Sequence, residues 1–74
     1  MKVIAQTTLE EKGYSKSINL VEVLGMYTVI IAEKITEKFY TNRVYTSHDL
    51  TCDFMEALCR YKQDGGYIPD ELKV

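Results

Sequence analysis

The chain has 74 residues, 46% of them hydrophobic and 27% charged, and a formal net charge of −2. Residues 1–74 therefore make a single domain near the lower size limit for a self-sufficient core, and the apolar content excludes wholesale disorder. A net charge this close to zero gives no support for the basic stripe of a nucleic-acid-binding surface, so we expect no nucleic-acid partner. The apolar runs are too short to span a membrane, and the N-terminus lacks a signal-peptide pattern, which favours a cytoplasmic protein.

The first half of the sequence predicts β-strands. Side chains alternate with a period of two through Lys2 to Leu9, which is rich in β-branched residues. A second strand is predicted at Ser17 to Val23, although its alternation is imperfect. Between them, Glu10 to Lys16 combines a glycine with a cluster of charges, which predicts a loop. Leu24-Gly25 predicts a tight turn, because glycine readily adopts a positive φ angle.

The strongest predicted strand is Met26 to Ile35, which is apolar on both sides. Such a strand belongs in the interior of a sheet. After a polar turn at 36–38, Phe39 to Tyr45 predicts a fourth strand. The short connections between successive strands indicate an antiparallel meander.

The spacing of apolar residues then changes from a period of 2 residues to one of 3.6, and residues 47–64 predict one amphipathic helix. Thr46 or Ser47 is the predicted N-cap, and the Gly65-Gly66 pair ends the helix with a left-handed residue. The apolar side chains of its core face are Leu50, Phe54, Ala57, Leu58 and Tyr61. Pro69 to Lys73 predicts a short C-terminal helical turn.

The predicted fold is therefore α+β: a four-stranded antiparallel meander followed by one amphipathic helix packed on one face (β-β-β-β-α) and a short C-terminal helical turn.

The apolar arc of the predicted helix is wider than one core face requires. Cys52, Met55 and Cys59 continue it past that face, and a partner chain is the simplest explanation for this second patch. Tyr27 and Tyr40 are further candidates for contact, because tyrosine is enriched at protein interfaces. An uncovered sheet face or an edge strand is an alternative contact surface.

His48 is the one histidine of the chain, and Cys52 follows it four residues later. On a helix their spacing of four would place both on one side. There they could supply two ligands to zinc, or act as a thiol nucleophile with a histidine as its general base. A structural zinc site needs four ligands, and no orienting third residue is identifiable. Cys52 and Cys59 lie roughly 10 Å apart along a helix axis, too far for a disulfide. We therefore expect reduced thiols, no enzyme activity, no metal and no cofactor.

Charges of opposite sign alternate near the third and fourth strands. Lys34, Lys38 and Arg43 are interleaved with Glu33 and Glu37. This pattern favours cross-strand ion pairs over an RNA-binding sheet, which would surround its aromatic residues with basic ones.

In outline the chain resembles a family of small uncharacterised Firmicutes proteins. The resemblance rests on the strand around residues 27–31, the junction 44–47, the helix with Leu50, Phe54 and Leu58, and the closing segment 68–72. It covers roughly residues 18 to 72. It implies a fold and a bacterial cytoplasmic setting, and no reaction.

Together these patterns predict a small non-catalytic interaction or regulatory module of a bacterium that forms a homodimer. One alternative is a phage or mobile-element inhibitor that binds a heterologous host defence protein, for example of the anti-CRISPR type. The other is a thiol or metal site built on His48 and Cys52.

Overall fold

The computed structural model describes residues 1–36 and 41–72. The described residues form strands β1 (Lys2–Glu11), β2 (Tyr14–Val23), β3 (Met26–Ile35) and β4 (Thr41–Thr46), helix α1 (Phe54–Gln63) and a 3-10 helix at Asp70–Leu72. The strands make one antiparallel sheet in the order β1-β2-β3-β4. The predicted α+β meander with one helix and a terminal turn is confirmed.

The first hairpin is tighter than the sequence suggests. The loop predicted over Glu10 to Lys16 is wrong, because only Lys12 and Gly13 separate β1 from β2. Gly13 supplies a positive φ of 78° for this turn. The neighbouring charged residues remain in the strands, where an exposed edge keeps their side chains hydrated.

The second hairpin turns at Leu24-Gly25, as predicted. Both residues have positive φ angles, 53° and 79°, as a type I′ turn requires. This turn suits the right-handed twist of the flanking strands, and it places Val23 directly opposite Met26.

Helix α1 begins later than its sequence pattern predicts. Ser47 and Thr51 still pair with β3: the Ser47 amide donates to the Val29 carbonyl at 3.1 Å, and Thr51 forms a bridge with Tyr27. The N-cap is Asp53, whose carboxylate accepts the Glu56 amide at 3.1 Å. The predicted cap at Thr46 or Ser47 is therefore wrong.

The C-terminal end of the helix follows the prediction. The Asp64 amide donates to the carbonyl of Arg60 at 3.0 Å, and Gly65 takes the left-handed conformation with φ of 99°. The chain then folds back over the sheet toward β1.

The core lies between α1 and the middle of the sheet. The helix covers β2 and β3. The residues of this buried cluster are Ala5, Ile18, Leu20, Val29, Ile31, Ala57, Leu58 and Tyr61. Leu50, predicted on the core face of the helix, is 43% exposed because it precedes the first helical turn.

A closed ring of three hydrogen bonds joins β1, α1 and the C-terminal segment. The Tyr67 amide donates to Thr7 Oγ1 at 2.8 Å, and the Tyr61 hydroxyl donates to the Tyr67 carbonyl at 2.9 Å. Thr7 Oγ1 and the Tyr61 hydroxyl lie 2.6 Å apart, and Thr7 is the donor because the Tyr61 proton is already used. Each of the two hydroxyls therefore both donates and accepts, whereas Tyr67 donates through its amide and accepts through its carbonyl.

Some predicted positions fall outside the described residues. These are the start of the fourth strand at Phe39, the charges Glu37 and Lys38, the candidate contact Tyr40, and Lys73 at the end of the terminal turn. Within the described ranges, no helix is long and apolar enough to cross a membrane.

Candidate interaction surfaces

The outer surface of α1 carries part of the predicted apolar patch. Met55 is 51% exposed and Cys59, one turn further on, is also exposed. Their exposed neighbours Glu56 and Arg60 are charged. Cys52 is exposed too, but it lies ahead of the helix rather than on it. The patch faces solvent, yet on the helix it is only two side chains long, which is small beside the roughly 800 Å² per partner of a standard interface.

Tyr27 packs against the start of the helix. Its ring meets that of Phe54 edge to face, with centroids 5.2 Å apart. A hydrogen bond to Glu22 raises the pKa of the Tyr27 hydroxyl. Much of this half-buried side chain is therefore occupied within the domain, and it lies apart from the outer surface of α1 that carries Met55.

His48 and Cys52 both precede α1, so their predicted placement one turn apart on a helix is wrong. Ser47 Oγ lies 3.4 Å from His48 Nδ1, whereas His48 Nε2 is buried with no hydrogen-bond partner. Cys52 is exposed. Across residues 1–36 and 41–72, no three His, Cys, Asp or Glu side chains come together as metal ligands would.

A polar cluster occupies the helix-side face of the sheet, beyond the C-terminal end of α1. Arg43 Nη2 donates to Glu33 Oε1 at 2.6 Å, and Tyr14 donates to Glu33 Oε2 at 2.8 Å. The Arg43 guanidinium also lies 4.7 Å from the centre of the Tyr45 ring. The predicted cross-strand pairing of charges is confirmed for Glu33 and Arg43, which are directly opposite in the ladder.

The donors around Glu33 stabilise its charged form. Hydrogen bonds from Arg43, then Tyr14, lower the pKa of Glu33 to about 2. The same carboxylate raises the pKa of Tyr14 and Tyr45 through hydrogen bonds to their phenols. The cluster is thus a satisfied structural network, and its groups are held in their ordinary charge states at neutral pH.

The Glu33 cluster predicts a specific loss of stability in acid. Since the pKa of Glu33 is below its ordinary value of 4.5, its stabilising contribution is present above that value and disappears as the pH falls toward 2. We expect Glu33→Gln to unfold at lower urea concentration than the unmodified chain at pH 6, and the difference to shrink by pH 2.5. A difference that is constant across this range would contradict the prediction. Arg43→Gln is the matched variant and should show the same pH dependence.

The outer edge of β1 is a candidate for the edge-strand contact that the sequence offers as an alternative, and the strand order identifies it. Among the described strands, β1 pairs with β2 alone, and it extends over ten residues. Val3 is 51% exposed and Leu9 is 46% exposed on this strand. Long edge strands with unpaired backbone groups are templates for pairing with another chain. The signal that remains in the sequence is the charge distribution, with Lys2 at one end and Glu10-Glu11 at the other.

One helix on one face of a four-stranded antiparallel meander defines a small two-layer α+β protein. No family model, curated protein or solved structure matches the chain. The resemblance to the Firmicutes family stays an expectation based on the sequence.

Proposed function

We propose that the chain is a non-catalytic interaction module that works as a homodimer in a bacterial cytoplasm. The observation that supports this most directly is the apolar surface that a single helix leaves uncovered. The large hydrophobic residues exposed in the described chain are Met1, Val3, Leu9, Leu24, Ile35, Val44, Leu50, Met55 and Tyr67.

Size adds a second reason for association. A domain of 74 residues buries a smaller fraction of its surface on folding than larger domains do, and it can gain stability by oligomerising. The two cysteines form no disulfide with each other, so no intrachain disulfide crosslink stabilises the fold. Reduced thiols suit a cytoplasmic setting.

The test is the mass of the protein in solution. We expect sedimentation equilibrium to show a monomer–dimer equilibrium between low micromolar and millimolar concentration, because interfaces near the lower end of the usual size range are weak. A monomer mass throughout this range would contradict self-association.

A further inference from the structure

The β1 edge of the sheet is open to a second chain. Helix α1 lies mainly over β2 and β3 and meets β1 through the Tyr61 and Thr7 side chains, so it does not pair with the backbone of this edge. Every backbone hydrogen bond of β1 within residues 1–36 and 41–72 is made to β2. The alternate amides and carbonyls that point away from β2 are therefore available for another strand.

The charges on β1 are placed symmetrically about Thr7. In the ladder, Lys2 lies opposite Glu22, Thr7 opposite Ile18 and Glu11 opposite Tyr14. The partners of Lys2 and Glu11 on β2 are each four residues from Ile18, the partner of Thr7. A register shift between Val3 and Ala5 brings Lys2 onto the same face as Glu11 and Thr7, because residues opposite each other share a face.

We propose that β1 pairs antiparallel with β1 of a second copy about a two-fold axis at Thr7, which joins the two sheets into one of eight strands. This contact rests on the proposed self-association and names its surface. Lys2 of each copy then faces Glu11 of the other, so the contact gains two ion pairs. Within the described chain, neither residue has an ion pair of its own to give up.

The same axis also matches the other side chains of β1. Ala5 and Leu9 are equidistant from Thr7 and on its face, so the 46% exposed Leu9 would lie opposite Ala5 of the second copy. Tyr67, held to Thr7 through its amide, lies beside the axis. It is 67% exposed, and the two Tyr67 residues of the dimer would flank the joined strands and enlarge the contact.

Over the described residues of β4, the opposite edge of the sheet offers no comparable match. Strand β4 has six residues, and Arg43 is its one charged residue. Antiparallel pairing of β4 with itself would therefore bring no opposite charges together. Arg43 is also already bound to Glu33.

Charge reversal tests the contact. In Lys2→Glu, and separately in Glu11→Lys, like charges face each other at both ends of the joined strands. We expect either change to raise the dimer Kd roughly tenfold, because cross-strand ion pairs are worth a few tenths to 1 kcal/mol each and two of them change sign. An equimolar mixture of the two variants restores opposite charges at both ends, so it should form a heterodimer with near-normal Kd.

Three control variants separate this contact from general charge effects. Arg60→Glu and Glu71→Lys make the same charge changes at exposed positions outside β1, and Met55→Lys places a charge on the outer surface of α1. All three should leave the dimer Kd unchanged. A monomeric unmodified chain would remove self-association itself. A dimer that is insensitive to both β1 reversals, or one dissociated by Met55→Lys instead, would overturn the β1 contact alone.

Discussion

Replacing Gly66 with alanine is expected to cost about 3 kcal/mol of unfolding free energy, the upper end of the usual cost of overpacking. A Cβ atom at this position would lie 2.5 Å from Cε1 and Cζ of Tyr61, well inside van der Waals contact. The Tyr61 ring has no room to withdraw, because it is fully buried and its hydroxyl is fixed by two hydrogen bonds. The collision must therefore displace either the ring or the C-terminal segment.

Urea unfolding of Gly66→Ala beside Gly25→Ala measures this effect. Gly25 has a positive φ of 79°, but nothing lies within 4 Å of an added Cβ. Its replacement should cost only about 1 kcal/mol from backbone strain. If Gly66→Ala is no more destabilising than Gly25→Ala, the collision with Tyr61 does not limit this position.

Removing the hydroxyl of Tyr61 is expected to cost about 2 kcal/mol, because two part-buried hydrogen bonds worth about 1 kcal/mol each are lost. In Tyr61→Phe, the Thr7 hydroxyl loses its acceptor and the Tyr67 carbonyl loses its donor. The ring of hydrogen bonds opens, although the apolar packing of the aromatic ring is kept. The midpoint of urea unfolding should fall without a change in its slope.

Two comparisons isolate the hydrogen-bonded ring. Tyr14→Phe deletes the same atom at a half-exposed site, where water can replace the lost bond, and should cost less than 1 kcal/mol. Thr7→Val combined with Tyr61→Phe should cost clearly less than the sum of the two single changes, since either one breaks the ring. Strict additivity would show that the three bonds do not act together.

The sheet could be predicted largely because its signals are local. The two apolar sides of Met26 to Ile35 indicate an interior strand, and β3 does lie between β2 and β4. The Leu24-Gly25 turn needs only two residues to be recognised. Helical spacing predicts Tyr61 in the core, and its side chain is fully buried there.

The start of the helix could not be predicted in this way. Residues 47–53 fit a helical pattern, yet Ser47 and Thr51 gain partners on β3 that a single sequence does not reveal. Tertiary pairing therefore overrides the local preference and delays the helix until Asp53 caps it. As a result Cys52 falls outside the helix, and its predicted relation to His48 is lost.

The candidate surfaces depend on strand register, which explains what the sequence missed. Alternating charges were enough to predict a pair such as Glu33 and Arg43. Tyr14 could not be predicted as a third member of this cluster, because that requires knowing that β2 and β4 both lie beside β3. The open edge of β1 follows only from the strand order, and the match of Lys2 to Glu11 follows only from the register shift near its start.

The bond between Thr7 and Tyr67 joins positions 60 residues apart, and this affects how the chain folds during its synthesis. All four strands leave the ribosome before Tyr61 and Tyr67 do, so the nascent sheet initially has nothing to cover its hydrophobic side. Contacts this distant in sequence also form slowly. Each newly made chain therefore passes through an interval in which its strands are vulnerable to aggregation, and that interval ends only when the segment around Tyr67 emerges and docks onto β1.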